Sequence, residues 1–159
     1  MSDHAISNCR AHLENIKALT DARSFCLSNI EEGRDLSRDA KQALRDHAYD
    51  GTDPDGTAEA IEQTLREIPL SVLVRSDWYA PGGSDRDREP AEFEILLSTG
   101  GPACRIIGNL TCSGEPCDCE IQWQDWGTLW TALDWCLLDS VCGLSDPLEE
   151  FASLFWFCE

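Results

Sequence analysis

The chain has 159 residues, and its 30 Asp and Glu against 12 Lys and Arg leave a formal net charge of −18. That balance argues against direct nucleic-acid binding, which begins with a basic footprint, and a hydrophobic content of 42% with six Trp and five Phe excludes a disordered acidic tail. No run approaches the ~18 apolar residues of a membrane helix, and the polar opening MSDHAISNCR does not read as a signal peptide, so a cytoplasmic protein with no membrane partner is expected.

Residues 1–68 read as a helical region. Ile6, Cys9, Leu13, Ile16 and Leu19 recur at three- and four-residue spacing, which puts them on one helix face, and the pattern runs through Ala22, Cys26 and Ile30 to Gly33. Ser37 is placed to cap a second helix carrying Ala40, Leu44 and Ala48 and ending at Asp50-Gly51. The run TDPDG at 52–56 reads as a turn, with Thr57 capping a third helix that presents Ile61, Leu65 and Ile68 before Pro69.

From Leu70 the period becomes two. A first strand is predicted over 70–78, with Leu70, Val72 and Val74 on one face, followed by a long polar loop through SDRDREP. A second strand carries Phe93, Ile95 and Leu97. Gly100-Gly101-Pro102 turns into a third over 103–111, and Ser113-Gly114 turns into a fourth carrying Cys117, Cys119, Ile121 and Trp123. Short turns between consecutive strands imply an antiparallel meander with one wet face. The remainder reads as a helix near 129–142 and a last helix opened by Asp146, Pro147 and Glu149. The expected fold is α+β: N-terminal helices over 1–68, then a four-stranded antiparallel meander packed against C-terminal helices over 69–159, with one shared core open as an option.

Charge divides unevenly between these regions. Residues 1–68 hold 14 acids and 8 bases, whereas 69–159 hold 16 acids and only 4 bases. Self-repulsion of that size opposes compaction, so it points to solubility, environment or a basic partner as its reason. Glu92 and Glu94 share a strand face at ~6.7 Å, as do Asp118 and Glu120, and Asp77, Asp85, Asp87 and Glu89 lie nearby. Together with Asp125 and the neighbouring Trp126, these residues make the candidate partner-binding surface. For any one pair, alternating acids also simply mark the solvent face of an amphipathic sheet.

Other chemistries find less support. Cys112, Cys117 and Cys119 cluster, and a hairpin closed at 113–116 would set Cys112 opposite Cys117 within disulfide reach. Their Cx4CxC spacing lacks the paired CxxC form of zinc sites, and His4, His12 and His47 all sit in the helical region. No metal, cofactor or catalytic residue is therefore expected. The Trp- and Phe-rich stretch from 123 onward reads first as core and second as a protein-binding patch.

The segments LLSTGGPACRIIGNL (96–110), WQDWGT (123–128) and FASLFWFCE (151–159) resemble a group of small acidic proteins encoded by phages and prophages, anti-CRISPR inhibitors among them. The resemblance covers about 70–128 and the C-terminal segment. The chain departs from the group at Leu129, where Pro is usual, and in its nine cysteines. It implies turn glycines, a core arginine at Arg105 and packed tryptophans. It also implies a non-enzymatic inhibitor that mimics DNA and binds a protein subunit of a CRISPR-Cas or other DNA-binding defence complex in the bacterial host. Monomer and dimer both remain open, and so does an acidic adaptor module without mimicry or a Cys-dependent metal protein.

Overall fold

Helical spacing at the start of the chain closes into α1 (Ser2–Leu27), whose buried stripe includes Cys9, Leu13, Ile16, Leu19, Ala22 and Cys26. The structure is a computed structural model that describes residues 2–28, 37–49, 52–76, 78, 81–82, 89–134 and 146–157. Ile30 and Gly33, expected to end this helix, lie outside the described residues. Among the described residues the one buried polar side chain, Thr20, turns its hydroxyl back onto the carbonyls of Ile16 and Lys17, so it carries no unsatisfied donor.

In α2 (Arg38–Asp46), Ser37 Oγ accepts the Ala40 N–H as the sequence suggests. The far end differs from expectation. Ala48 does not continue the buried face but takes φ +53°, while the Tyr49 N–H reaches Leu44 O and the Ala48 N–H reaches Arg45 O. That is a Schellman reversal, and it lays half-buried Tyr49 back on the core. The next helix, α3 (Pro54–Glu67), is capped by Asp53 rather than Thr57: Asp53 Oδ1 accepts the Gly56 N–H and Pro54 takes the first helical position. The Asp-Pro pair read as part of a turn is in fact the helix start.

Five strands follow: β1 (Ser71–Ser76), β2 (Pro90–Ser98), β3 (Ala103–Leu110), β4 (Pro116–Gln124) and β5 (Thr131–Ala132). They pair antiparallel in chain order, β1-β2-β3-β4-β5. The predicted meander thus gains a fifth strand. Thr131 and Ala132 pair with Trp123 and Gln122, and two residues are too few to show a period of two in the sequence. Residues 129–134 are consequently not the start of a helix, and the rest of that expected helix lies outside the described residues. The chain's last described helix, α4 (Pro147–Ala152), starts as expected, with Asp146 Oδ1 accepting the Leu148 N–H.

Phe93, Ile95 and Leu97 of β2, Cys104 and Ile106 of β3, and Ile121 of β4 are buried on one sheet face. There α1 crosses β3 and β4 with α4 beside it, while α2 and α3 pack on α1. A single hydrophobic cluster runs from Cys9 and Ile16 through Ile61 and Leu65 to Ile95, Phe151 and Phe157. The helical and sheet regions therefore share one core, and each fully buried large side chain contributes about 1.5–3 kcal/mol. Gly108 belongs to that core by what it lacks. A Cβ there would stand 2.6 Å from Phe93 Cε1, and Phe93 is its register partner. Among the described residues, no helix is long and apolar enough to cross a membrane.

Candidate functional site

The outer sheet face, opposite the helices, carries the strand acids singled out by sequence. Glu92 stands across from Arg75 in register, and Arg75 Nε donates to its Oε2 at 2.8 Å. Glu94 accepts from Arg105 Nη1 at 2.5 Å. Arg105 also sends Nε and Nη2 to Gln122 Oε1, and Gln122 Nε2 donates to Glu120 Oε1. Trp130 lies over the guanidinium, with Arg105 Cζ 4.2 Å from the ring centroid. One lateral network therefore crosses β2, β3 and β4, with Arg105 at its centre. This corrects one expectation and adds to another. Arg105 is on the open face rather than in the core, and Glu92 and Glu94, which reach water as expected, each also meet an arginine of the chain itself. Once the strands are aligned, the two acids come to lie beside the two arginines, a match that only the register exposes.

Asp118 and Glu120 stand differently. Among the described residues neither has a cationic partner. Asp118 accepts from Asn109 Nδ2 at 3.2 Å, and it takes φ +52° where the β3–β4 register slips between Ile107 and Asn109. That irregularity also corrects the thiol reading. Cys117 sits opposite Asn109, and Cys112 lies in the turn between the strands, so the two are not a facing pair. Both are free thiols, as is Cys119.

These thiols report the local field. Burial first, then the Glu149 and Asp146 carboxylates, push the Cys119 thiol up to about 12. Cys117 is also raised, by desolvation and then by Asp118 and Glu149. The start of β4 and the start of α4 thus bring Asp118, Asp146 and Glu149 around one place. Among the described residues from 69 onward, Arg75 and Arg105 are the only bases, and both are already held by glutamates. No group of three His, Cys, Asp or Glu among the described residues is arranged to hold a metal ion.

The two strings that stood out in the sequence meet in space. Gly100, Gly101 and Pro102 turn β2 into β3, and the Trp126 indole lies directly over Gly101. A Cβ on Gly101 would fall 2.2 Å from Trp126 Nε1, and its φ of +72° also favours glycine. The QDWGT segment is held as a turn. Asp125 Oδ1 accepts the Trp126 N–H, Thr128 Oγ1 accepts the Asp125 N–H, and Gln124 Nε2 donates to Thr128 O. Asp125 is therefore a turn residue. Trp126 is 75% exposed and Leu129, three residues on, is 86% exposed.

Of the other expected site residues, Glu89 is exposed just ahead of β2, while Asp77, Asp85 and Asp87 lie outside the described residues. On the helical side, a groove of about 540 Å³ between α1, α2 and α3 is lined by Glu14, Asp39 and Asp46. His47 bridges its wall, with Nδ1 2.8 Å from Ala43 O and Nε2 3.0 Å from Thr64 Oγ1. No protein-family model, curated protein or solved structure matches the chain.

Proposed function

We propose that the protein is a non-enzymatic inhibitor of the anti-CRISPR kind, working in the bacterial cytoplasm as an anionic substitute for DNA on a protein subunit of a CRISPR-Cas or other DNA-binding defence complex. The observation that carries this reading is a set of carboxylates that meet no cation among the described residues: Asp118 near the start of β4 with Asp146 and Glu149 at the start of α4, and Glu120 further along β4 on the outer sheet face. They sit on a sheet and a capped helix, so their positions are set before a partner arrives. Glu92 and Glu94, neutralised by Arg75 and Arg105, are removed from the mimicking surface. Carboxylates in such an array replace phosphates at partner Lys and Arg side chains and steer association electrostatically. Exposed Trp126 and Leu129 add an apolar anchor of the type that dominates interface energy.

The test is capture of defence complexes by the tagged protein, then competition with duplex DNA. Binding should weaken steeply as salt rises. Replacing Asp118, Glu120 and Glu149 by Lys should lower affinity at least about tenfold, whereas replacing Glu14, Asp39 and Asp46 by Lys should change it little. A partner that still binds DNA normally when saturated with this protein would refute the mimicry. Loss of binding in the helical variant alone would move the interface to the groove between the helices.

A further inference from the structure

We propose that Cys9 and Cys104 form a modification site that closes to a disulfide when it meets a small disulfide oxidant, tying α1 to the middle of the sheet. This inference is independent of the proposed function. The two sulfurs lie 2.9 Å apart although the residues are 95 positions apart in sequence. An S–S bond is ~2.05 Å long, so they need approach by less than about 1 Å. Both side chains are fully buried, on α1 and β3. The neighbouring positions are fastened as well. Ser98, the register partner of Cys104, donates its hydroxyl to Asn8 Oδ1 at 3.1 Å. Two consecutive residues of α1 are thus clamped on two paired residues of the sheet, which fixes how the thiols face each other.

The chemistry is two exchanges. One thiolate attacks a sulfur of oxidised glutathione, forming a mixed disulfide and releasing one glutathione thiolate. The second cysteine thiolate then attacks the protein sulfur of that mixed disulfide and releases the second glutathione. One S–S bond breaks in the oxidant and one forms in the protein. Two electrons pass to glutathione, and the two thiol protons are taken up by its thiolates. In the closed fold this is slow. Contact with Cys9 and burial hold the Cys104 thiol far above its ordinary value, and neither sulfur reaches solvent. Oxidation therefore runs through lifting of the first part of α1 from β3, with loss of the Asn8–Ser98 bond. Once formed, the bond prevents that lifting.

The experiment uses the full wild-type chain. The protein is equilibrated in glutathione redox mixtures with and without sub-denaturing urea, quenched with acid, alkylated and digested with trypsin. Cys9 falls in the tryptic peptide 1–10 and Cys104 in 89–105, each with no other cysteine. Both peptides should leave the alkylated pool together and reappear as one linked species lighter than their sum by two hydrogens, sooner in urea. The oxidised protein should melt about 10 °C higher, given the long loop closed. If both peptides remain alkylated under conditions that convert exposed Cys112 to its glutathione adduct, the proposal fails. It fails equally if Cys9 and Cys104 are found only as separate glutathione adducts.

Discussion

Gly101 carries two demands at once. Its φ of +72° disfavours any side chain, and the Trp126 indole occupies the space a Cβ would need. Gly101→Ala should therefore cost about 2–3 kcal/mol by urea denaturation. In a Trp126→Ala background the cost should drop to about 1 kcal/mol, because only the backbone penalty remains. A cost independent of Trp126 would mean the indole does not rest there. Thiol reactivity offers a second residue-level check. Cys112 is exposed, while Cys119 is pushed up to about 12 by burial and its acidic neighbours. At pH 8 a colorimetric disulfide reagent should titrate Cys112 rapidly and Cys119 only as the protein unfolds, since the thiolate is the reacting form. Rapid reaction of Cys119 in the native protein would contradict the assigned environment.

The elements end where backbone geometry, rather than hydrophobic pattern, requires it. The Schellman reversal after α2 places Ala48 at φ +53°, a position where glycine carries no Cβ penalty. Ala48→Gly is expected to raise stability by about 1 kcal/mol, read as an upward shift of the denaturation midpoint. The same reasoning applies in β4. Asp118→Gly should leave stability within about 0.5 kcal/mol or improve it, whereas Asp118→Val should lose about 1–2 kcal/mol. Asp118→Gly thus removes one carboxylate of the proposed surface without disturbing the strand, which separates charge from fold in a binding assay. A stable Val variant would show that the strand adjusts its register there.

At the scale of the molecule, α1 holds the assembly together. It contacts the sheet, α4, α2 and α3, and its polar side chains reach across. Arg23 Nε and Nη2 donate to Glu62 Oε2 of α3, Arg66 Nη2 donates to Glu62 Oε1, and Ser24 donates to Glu150 of α4. The hydrogen bond from Arg23 is the chief reason the Glu62 carboxyl lies below its ordinary 4.5. A depressed carboxylate contributes stability above its unfolded value, and that contribution is lost as pH falls through the folded value. Glu62→Gln should accordingly lower stability by about 1 kcal/mol at neutral pH, and the difference should shrink as the pH is taken progressively below 4.5. Melting curves of both proteins over that pH range measure it, and a gap that does not shrink in acid would assign the loss to packing instead.

What the sequence determined by itself was whatever depends on short-range periodicity and cap chemistry. The stripe from Cys9 to Cys26, the cap at Ser37, the alternation Phe93–Ile95–Leu97, the turn at Gly100–Pro102 and the Asp146-Pro147 start of α4 are all local patterns, and each is present in the fold. The excess of acids over bases is legible from composition, whereas the exposure of Trp126, in a stretch that reads first as core, is not. Only the tertiary structure decided which charges are free. Arg75 and Arg105 lie 17 and 11 positions from their glutamates along the chain, and strand register brings them together, so Glu92 and Glu94 meet arginines of the chain itself while Asp118, Glu120, Asp146 and Glu149 meet none among the described residues. Register likewise set Cys117 against Asn109 and left Cys112 in the turn. The laying of α1 on β3 brought Cys9 to Cys104, and the closing of the sheet on the 125–128 turn put Trp126 over Gly101. Pairings of this kind are decided by how elements pack, because contact between distant residues leaves no period in the sequence to read.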